Sequence, residues 1–233
     1  MNTRGYFFAN KCLRVFSRLK LPKSFTWKLN KIIPSILFYP HMNKEEFKFF
    51  HRIAKYNKTV VEFGSGGSTI YFCNKKARLY TVESNPEFFR YMNSIPLIKR
   101  SLKRGLIFRY TDIGPTDQWG TPINNEHADN WPQYYTGIWE NVLAKNDRPG
   151  LIFIDGRFRV CCCLYAIIKI AEMGLENTFI IIHDFWTRKE YHIVLNYLDI
   201  YEHTSNICAF RARQPVNTDE IRKLIPAYAG SLT

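Results

Sequence analysis

From Thr59 onward the chain alternates short apolar runs with longer stretches of helical periodicity. Thr59–Phe63 (TVVEF), Leu79–Glu83 (LYTVE), Leu106–Tyr110 (LIFRY), Leu151–Ile154 and Thr178–Ile182 are β-branched or aromatic and of strand length. Between them Ser68–Asn74 reads as helix after a Gly-rich turn, Pro86 opens a second at the first helical position, and Val160–Met173 is a third. Strands that are apolar along nearly their whole length need cover on both faces, so this order predicts a doubly wound parallel sheet. Upstream, Asn43 is placed to cap a helix from Lys44 to about Tyr56, with glutamates in its first turn. Downstream, Arg188–Leu198 reads as helix. Ile200–His203 and Ile207–Arg211, with Ser205-Asn206 between them, read as a hairpin that ends the sheet on an antiparallel strand. The expectation is an α/β fold with a mostly parallel seven-stranded sheet.

The 20 residues from Asp112 to Trp131 (DIGPTDQWGTPINNEHADNW) form a long connection rich in Pro, Gly, Asn and Asp, the kind that serves as a lid or binding loop. At 233 residues, 46% hydrophobic and 16% aromatic, the chain suits one α/β domain, taken here as residues 41–233. No stretch approaches the roughly 20 apolar residues that cross a bilayer.

Charge changes the picture at the amino-terminal end. Residues 1–40 hold Arg4, Lys11, Arg14, Arg18, Lys20, Lys23, Lys28 and Lys31 with no Asp or Glu, and so supply eight of the net +13 charges. Phe8, Cys12, Val15, Phe16 and Leu19 recur there at helical spacing, while Lys11, Arg14 and Arg18 fall on another face. This basic amphipathic helical arm can lie on an anionic membrane or along an acidic partner; alternatively, it packs its apolar stripe on the domain. Lys11 and Arg14 break any signal-peptide apolar region, and no small-residue cleavage site follows. Cys12, Cys73, Cys161, Cys162, Cys163 and Cys208 show no metal-site spacing, and three consecutive helical cysteines point in different directions. Buried thiols in a reducing cytoplasm are expected.

The strongest chemical signal is Glu62-Phe63-Gly64-Ser65-Gly66-Gly67-Ser68-Thr69, between a strand and a helix. Glycines there let the backbone approach a ligand closely, and the helix amino terminus offers free N–H groups. Glu83 lies 19 residues after Gly64 at the end of the second strand, where a carboxylate can bind two ribose hydroxyls. The turn lacks the G-x-G-x-x-G order of a pyrophosphate site, and Glu62 would repel a pyrophosphate but accept hydrogen bonds from an ammonium group. The combination favours S-adenosylmethionine over NAD in a Rossmann-like domain.

VVEFGSGGST…LYTVESNPEF resembles the first two motifs of class I S-adenosylmethionine-dependent methyltransferases. Farther on, DIGPTDQWGTP, LIFIDGRFRVCCCLYA and TFIIIHDFWTRKEYHIV resemble a little-characterised branch with the pattern DGRFR…HD…R…Y, which has some similarity to plant glucuronoxylan 4-O-methyltransferases. The resemblance spans about residues 40–211 and leaves the arm aside. It implies cofactor contacts from Glu62, Gly64, Ser65, Gly66, Ser68, Thr69 and Glu83. It also puts Asp112 where such enzymes contact the adenine amino group, although Asp112 also suits a turn in Asp-Ile-Gly-Pro.

Asp155 follows the fourth strand and His183-Asp184 the fifth, so all three should emerge at the carboxyl edge of the sheet, where ligands bind. His183 could act as base toward a hydroxyl acceptor, oriented by Asp184 or Asp155. Alternatively, Asp155 and Asp184 could ligate a divalent cation, as carboxylates at similar strand ends do in catechol-type methyltransferases. Phe185 stands where those enzymes keep an amide ligand, so metal is not favoured. Arg157, Arg159 and Arg188 either grip an acidic substrate or pair with loop acids such as Asp117, Glu126 or Asp129. The sequence thus points to O-methylation of a small-molecule or glycan acceptor. A nucleic-acid methyltransferase is the rival suggested by the basic arm, but no Asn/Asp-Pro-Pro-Tyr/Phe motif and no basic stripe interleaved with aromatics supports it. A non-catalytic adenosyl-binding protein is the other alternative.

Overall fold

A computed structural model describes residues 40–117 and 120–230; the basic arm therefore lies outside the described residues, except for Pro40. Helix α1 (Lys44–Ala54) begins where Asn43 accepts the Glu45 and Glu46 N–H groups, and Glu46 returns a carboxylate to the Asn43 N–H. Such a reciprocal cap is worth about 1 kcal/mol. There follow β1 (Thr59–Phe63), α2 (Gly67–Asn74), β2 (Arg78–Glu83), α3 (Pro86–Ser94), α4 (Pro96–Leu102), β3 (Ile107–Tyr110), α5 (Pro132–Ala144), β4 (Leu151–Ile154), α6 (Arg159–Glu172), β5 (Phe179–His183), β6 (Leu198–His203), β7 (Ile207–Ala212) and α7 (Thr218–Ala229).

The seven strands run in the order β3-β2-β1-β4-β5-β7-β6. All neighbours are parallel except β7, which is antiparallel to both β5 and β6. The expected sheet and its reversed carboxyl-terminal strand are therefore present. Because the central strands are apolar along most of their length, alternate side chains feed two separate cores. Val61, Tyr80, Val82, Ile152 and Ile180 meet α5, α6 and α7 on one face. Val60, Leu79, Leu151, Phe153 and Ile181 meet α1 to α4 on the other. Chain order reverses between β1 and β4, so the crevice for a ligand opens above the carboxyl ends of those two strands.

One expected helix is tighter than an α-helix. Lys189–Asn196 forms 3-10 turns, and β6 already begins at Leu198. Tyr191 and Val194, three residues apart, are its buried side chains, a spacing that eclipses in a threefold helix. The thiols behave as expected where described: Cys73, Cys161, Cys162, Cys163 and Cys208 are all buried and free, and burial pushes each thiol pKa up. Among the described residues no helix is long and apolar enough to cross a membrane.

Candidate active site

The turn after β1 and the turn after β4 touch through their backbones. Gly64 has φ +92°, and a Cβ there would stand 2.5 Å from Gly156 Cα. A Cβ on Gly156 would stand 2.1 Å from Tyr134 Oη and 2.7 Å from Gly64 N. Both positions require glycine, and the contact joins the two turns below the crevice. Gly66 has open space beside it, with its N–H donated to Thr69 Oγ1 at 2.8 Å.

Glu62 is fully buried at the end of β1. Its Oε2 accepts the Thr69 and Thr81 hydroxyls, each at 2.7 Å, whereas Oε1 has no hydrogen-bond partner. Burial pushes this carboxyl up to about 7, against the pull of the Ser68, Thr69 and Thr81 hydroxyls. A buried carboxylate oxygen without a donor is a place for a cationic one. Glu83, at the end of β2, accepts the Ser84 and Asn85 N–H groups through Oε1 at 2.8 Å and the Ser65 hydroxyl through Oε2 at 2.5 Å. Burial raises its pKa and these donors oppose the shift. Asp112 is exposed and accepts the Gly114 N–H at 2.9 Å, an Asx turn. Next to it, at the end of β3, the buried Thr111 hydroxyl has no partner.

Asp155, His183 and Asp184 converge as expected, with one potential ligand atom from each within 4.8 Å of the others. Their presentation differs from the expectation for His183. Its Nδ1 lies 3.0 Å from Asp155 Oδ1, and its buried Nε2 lies 3.7 Å from Glu46 Oε2 on α1. Only 7% of the His183 side chain is exposed, against 25% for Asp155 and 31% for Asp184. Burial works against its charge, but Asp155 and then Asp184 raise its pKa above the ordinary value. Asp155 is the counterpart: burial pushes it up, and the His183 hydrogen bond with the Arg159 charge outweighs this and holds it below the ordinary value. The contact between them favours the charged form of each, and the Asp155 oxygen that makes neither the His183 nor the Arg159 contact is Oδ2.

Arg159 organises the centre from within. It is buried, and its Nε donates to the Gly156 carbonyl at 3.0 Å. Nη1 reaches the His183 carbonyl at 2.5 Å and Asp184 Oδ2 at 3.2 Å; Nη2 reaches the Asp155 carbonyl and Asp155 Oδ1, each at 3.3 Å. Asp184 also accepts the Asn206 side-chain amide at 2.8 Å, which ties the β6–β7 turn to the site. Phe158 and Asp184 both adopt left-handed backbone, φ +52° and +57°. A bulky residue pays about 1–2 kcal/mol for that conformation, and here it delivers the start of α6, hence Arg159, to the carboxylates.

Arg157 and Arg188 are placed differently. Arg157 donates to Thr121 Oγ1 of the long connection at 3.0 Å, and Arg188 stacks over Tyr191 with its Cζ 5.8 Å from the ring centroid. Among the described residues neither meets a carboxylate, and Asp117, Glu126 and Asp129 pair with none of the three arginines. Burial, followed by the Arg159 charge, lowers the Arg157 pKa, and Arg188 adds to the effect. The connection expected as a loop crosses the crevice: Thr121 meets Arg157, Thr116 lies 3.4 Å from the Asn85 amide, and Trp131 Nε1 donates to the Ile113 carbonyl.

No protein-family model and no curated relative matches the sequence. Among solved structures, the chain is similar to a methyltransferase-like protein from Silicibacter pomeroyi, with TM-score 0.67 and 23% identity over 83% of this chain and 98% of that one. An S-adenosylhomocysteine-bound methyltransferase from Podospora anserina follows at TM-score 0.44 and 14% identity over 88% and 96% of the two chains. A methyltransferase from Geobacter sulfurreducens gives 0.43 and 12% over 86% and 96%. The first likeness, with the strand order, assigns the class I methyltransferase fold.

Proposed function

Starting from this fold, we propose that the protein transfers the methyl group of S-adenosylmethionine to a hydroxyl of an acidic small-molecule or glycan acceptor. The observation that carries the cofactor assignment is the buried Glu62 Oε1, left without a hydrogen-bond partner near the carboxyl end of β1, which suits the ammonium of the methionine moiety. Glu83 would hold the ribose hydroxyls, with Ser65 yielding its bond, and the Gly64–Gly156 contact leaves the backbone bare beside the ligand. When bound, the cofactor supplies an electrophilic methyl on a sulfonium. Asp155 Oδ2 then accepts the acceptor hydroxyl and takes its proton, while His183 and Arg159 hold the carboxylate in place.

Calorimetry tests the assignment: S-adenosylhomocysteine should bind and NAD should not, and the reverse result would remove the cofactor. Glu83→Ala should weaken S-adenosylhomocysteine binding by about 1.5–3 kcal/mol, the loss of hydrogen bonds to a charged group. Unchanged affinity in a folded variant would take Glu83 out of the ribose role.

The acidic acceptor follows from Arg157 and Arg188, two guanidinium groups beside the carboxylate centre without acidic partners among the described residues. An acceptor carboxylate or phosphate between them would gain paired, charge-assisted bonds. With any acceptor found by mass spectrometry using labelled cofactor, Arg188→Ala should raise KM about tenfold or more at nearly constant kcat, one lost charged hydrogen bond being worth about 1.5–3 kcal/mol. Equal KM values for the acid and its uncharged ester would refute an anionic subsite.

A further inference from the structure

We propose that Arg159 takes the position a divalent cation would occupy between Asp155, His183 and Asp184, so that the centre carries its own cation, and that removing the guanidinium opens a site for a hard divalent ion. The three residues offer the oxygen and imidazole donors such an ion accepts, one ligand atom from each within 4.8 Å of the others. That charge is already supplied. Arg159 bonds Asp155 Oδ1 at 3.3 Å and Asp184 Oδ2 at 3.2 Å from one buried guanidinium, bridging the two carboxylates as a metal would. Its N–H groups also donate to the Gly156, His183 and Asp155 carbonyls. It therefore cannot swing away to admit an ion without orphaning buried acceptors. A second cation placed against it would face direct repulsion at short range in a partly buried site.

Two further features fit a built-in cation. The left-handed Phe158, buried between Trp131 and Tyr134, fixes the first turn of α6 and with it the reach of Arg159. Asn206 satisfies the other oxygen of Asp184, so the carboxylate is oriented toward the guanidinium from both sides. A fixed guanidinium neutralises and orients the carboxylates but offers no open coordination position. The acceptor oxygen is therefore held by Asp155 and not by a Lewis acid.

Resting on the methyl-transfer reading for its purpose alone, the cation role is testable without turnover. Mn2+ serves as the probe, followed by electron paramagnetic resonance and by melting temperature. The wild-type chain should show no Mn2+ binding that depends on Asp184 up to millimolar ion. Arg159→Ala should bind one Mn2+ at least tenfold more tightly than wild type, and adding Asp184→Asn should abolish the gain. If Arg159→Ala folds only when Mn2+ is present, that rescue supports the role equally. Where the alanine variant fails to fold even then, Arg159→Gln, which removes the charge but keeps most of the volume, decides by the same binding criterion. A folded variant that binds Mn2+ no better than wild type overturns the proposal, as does wild-type binding that is lost in Asp184→Asn. Failure of the methyltransferase reading would show separately, as absent S-adenosylhomocysteine binding.

Discussion

Asp155→Asn is expected to lower methyl transfer by about 100-fold or more, within the factors of about 10²–10⁴ that base assistance contributes. Affinity for S-adenosylhomocysteine should change by less than about tenfold, because the change keeps the side chain's shape beside the cofactor turn and alters only its charge. The variant should also melt lower: it leaves the buried Arg159 guanidinium with less compensating charge and His183 without its carboxylate partner. His183→Asn should act differently. Both imidazole nitrogens face carboxylates inside the protein, so its loss should act through the placement of Asp155, with a smaller fall in kcat and a shifted pH profile. If His183→Asn abolished turnover while Asp155→Asn retained it, the proton would leave through the histidine and the assignment of Asp155 would be wrong.

Glu62→Gln should move stability and binding in opposite directions. The carboxyl sits at about 7 in the folded protein against an ordinary value of 4.5. Between those values the folded chain holds a proton that the unfolded chain has released. Stability therefore falls as pH rises from about 4.5 to about 7 and stays low above that. Glutamine removes the titration. The ligand-free variant should gain up to about 3 kcal/mol at pH 8, taking about 1.4 kcal/mol per pKa unit, and gain nothing near pH 4. Its affinity for S-adenosylhomocysteine should fall about tenfold to hundredfold, since a charge-assisted bond to the ammonium is lost. In the wild type that affinity should rise as pH passes upward through about 7, because the ammonium needs the ionised carboxylate. Denaturation midpoints at the two pH values, paired with calorimetry, separate these effects. A variant less stable at pH 8, or one with unaltered affinity, would show that Glu62 serves the fold and not the ligand.

The sheet is readable from the chain because burial on two faces leaves the central strands apolar along most of their length, a local signature. Helix α5 carries the same kind of signal, with Pro132 at its first position and Tyr134, Tyr135, Ile138, Trp139 and Val142 at helical spacing, although the alternation of apolar runs does not single it out. Helix α7 likewise carries an Asn217 cap and acidic residues in its first turn. In the candidate site, Glu62, Gly64 and Glu83 were legible since their spacing within one β-α-β unit fixes where they meet. Glu46, Gly156 and Tyr134 were not, because each reaches the site through a tertiary contact with a distant segment. Arg157 and Arg159, two residues apart, take different places: Arg157 meets the long connection and Arg159 the carboxylates. The left-handed turn at Phe158 sends Arg159 inward, and no local pattern announces that turn.

The glycine-to-glycine contact between the turns after β1 and β4 bears on rate as well as on shape. With no side chain between them, the turn after β1 and the turn that carries Asp155 pack backbone against backbone. Under the proposed methyl transfer, the separation of electrophile and proton acceptor would be set when the chain folds, not each time a substrate arrives. Such preorganisation is what gives intramolecular reactions effective molarities of about 10⁵–10⁸ M, and a loosened contact would forfeit part of that advantage even with every reacting group intact. A side chain at Gly156 would therefore be expected to slow the proposed transfer by parting the two turns.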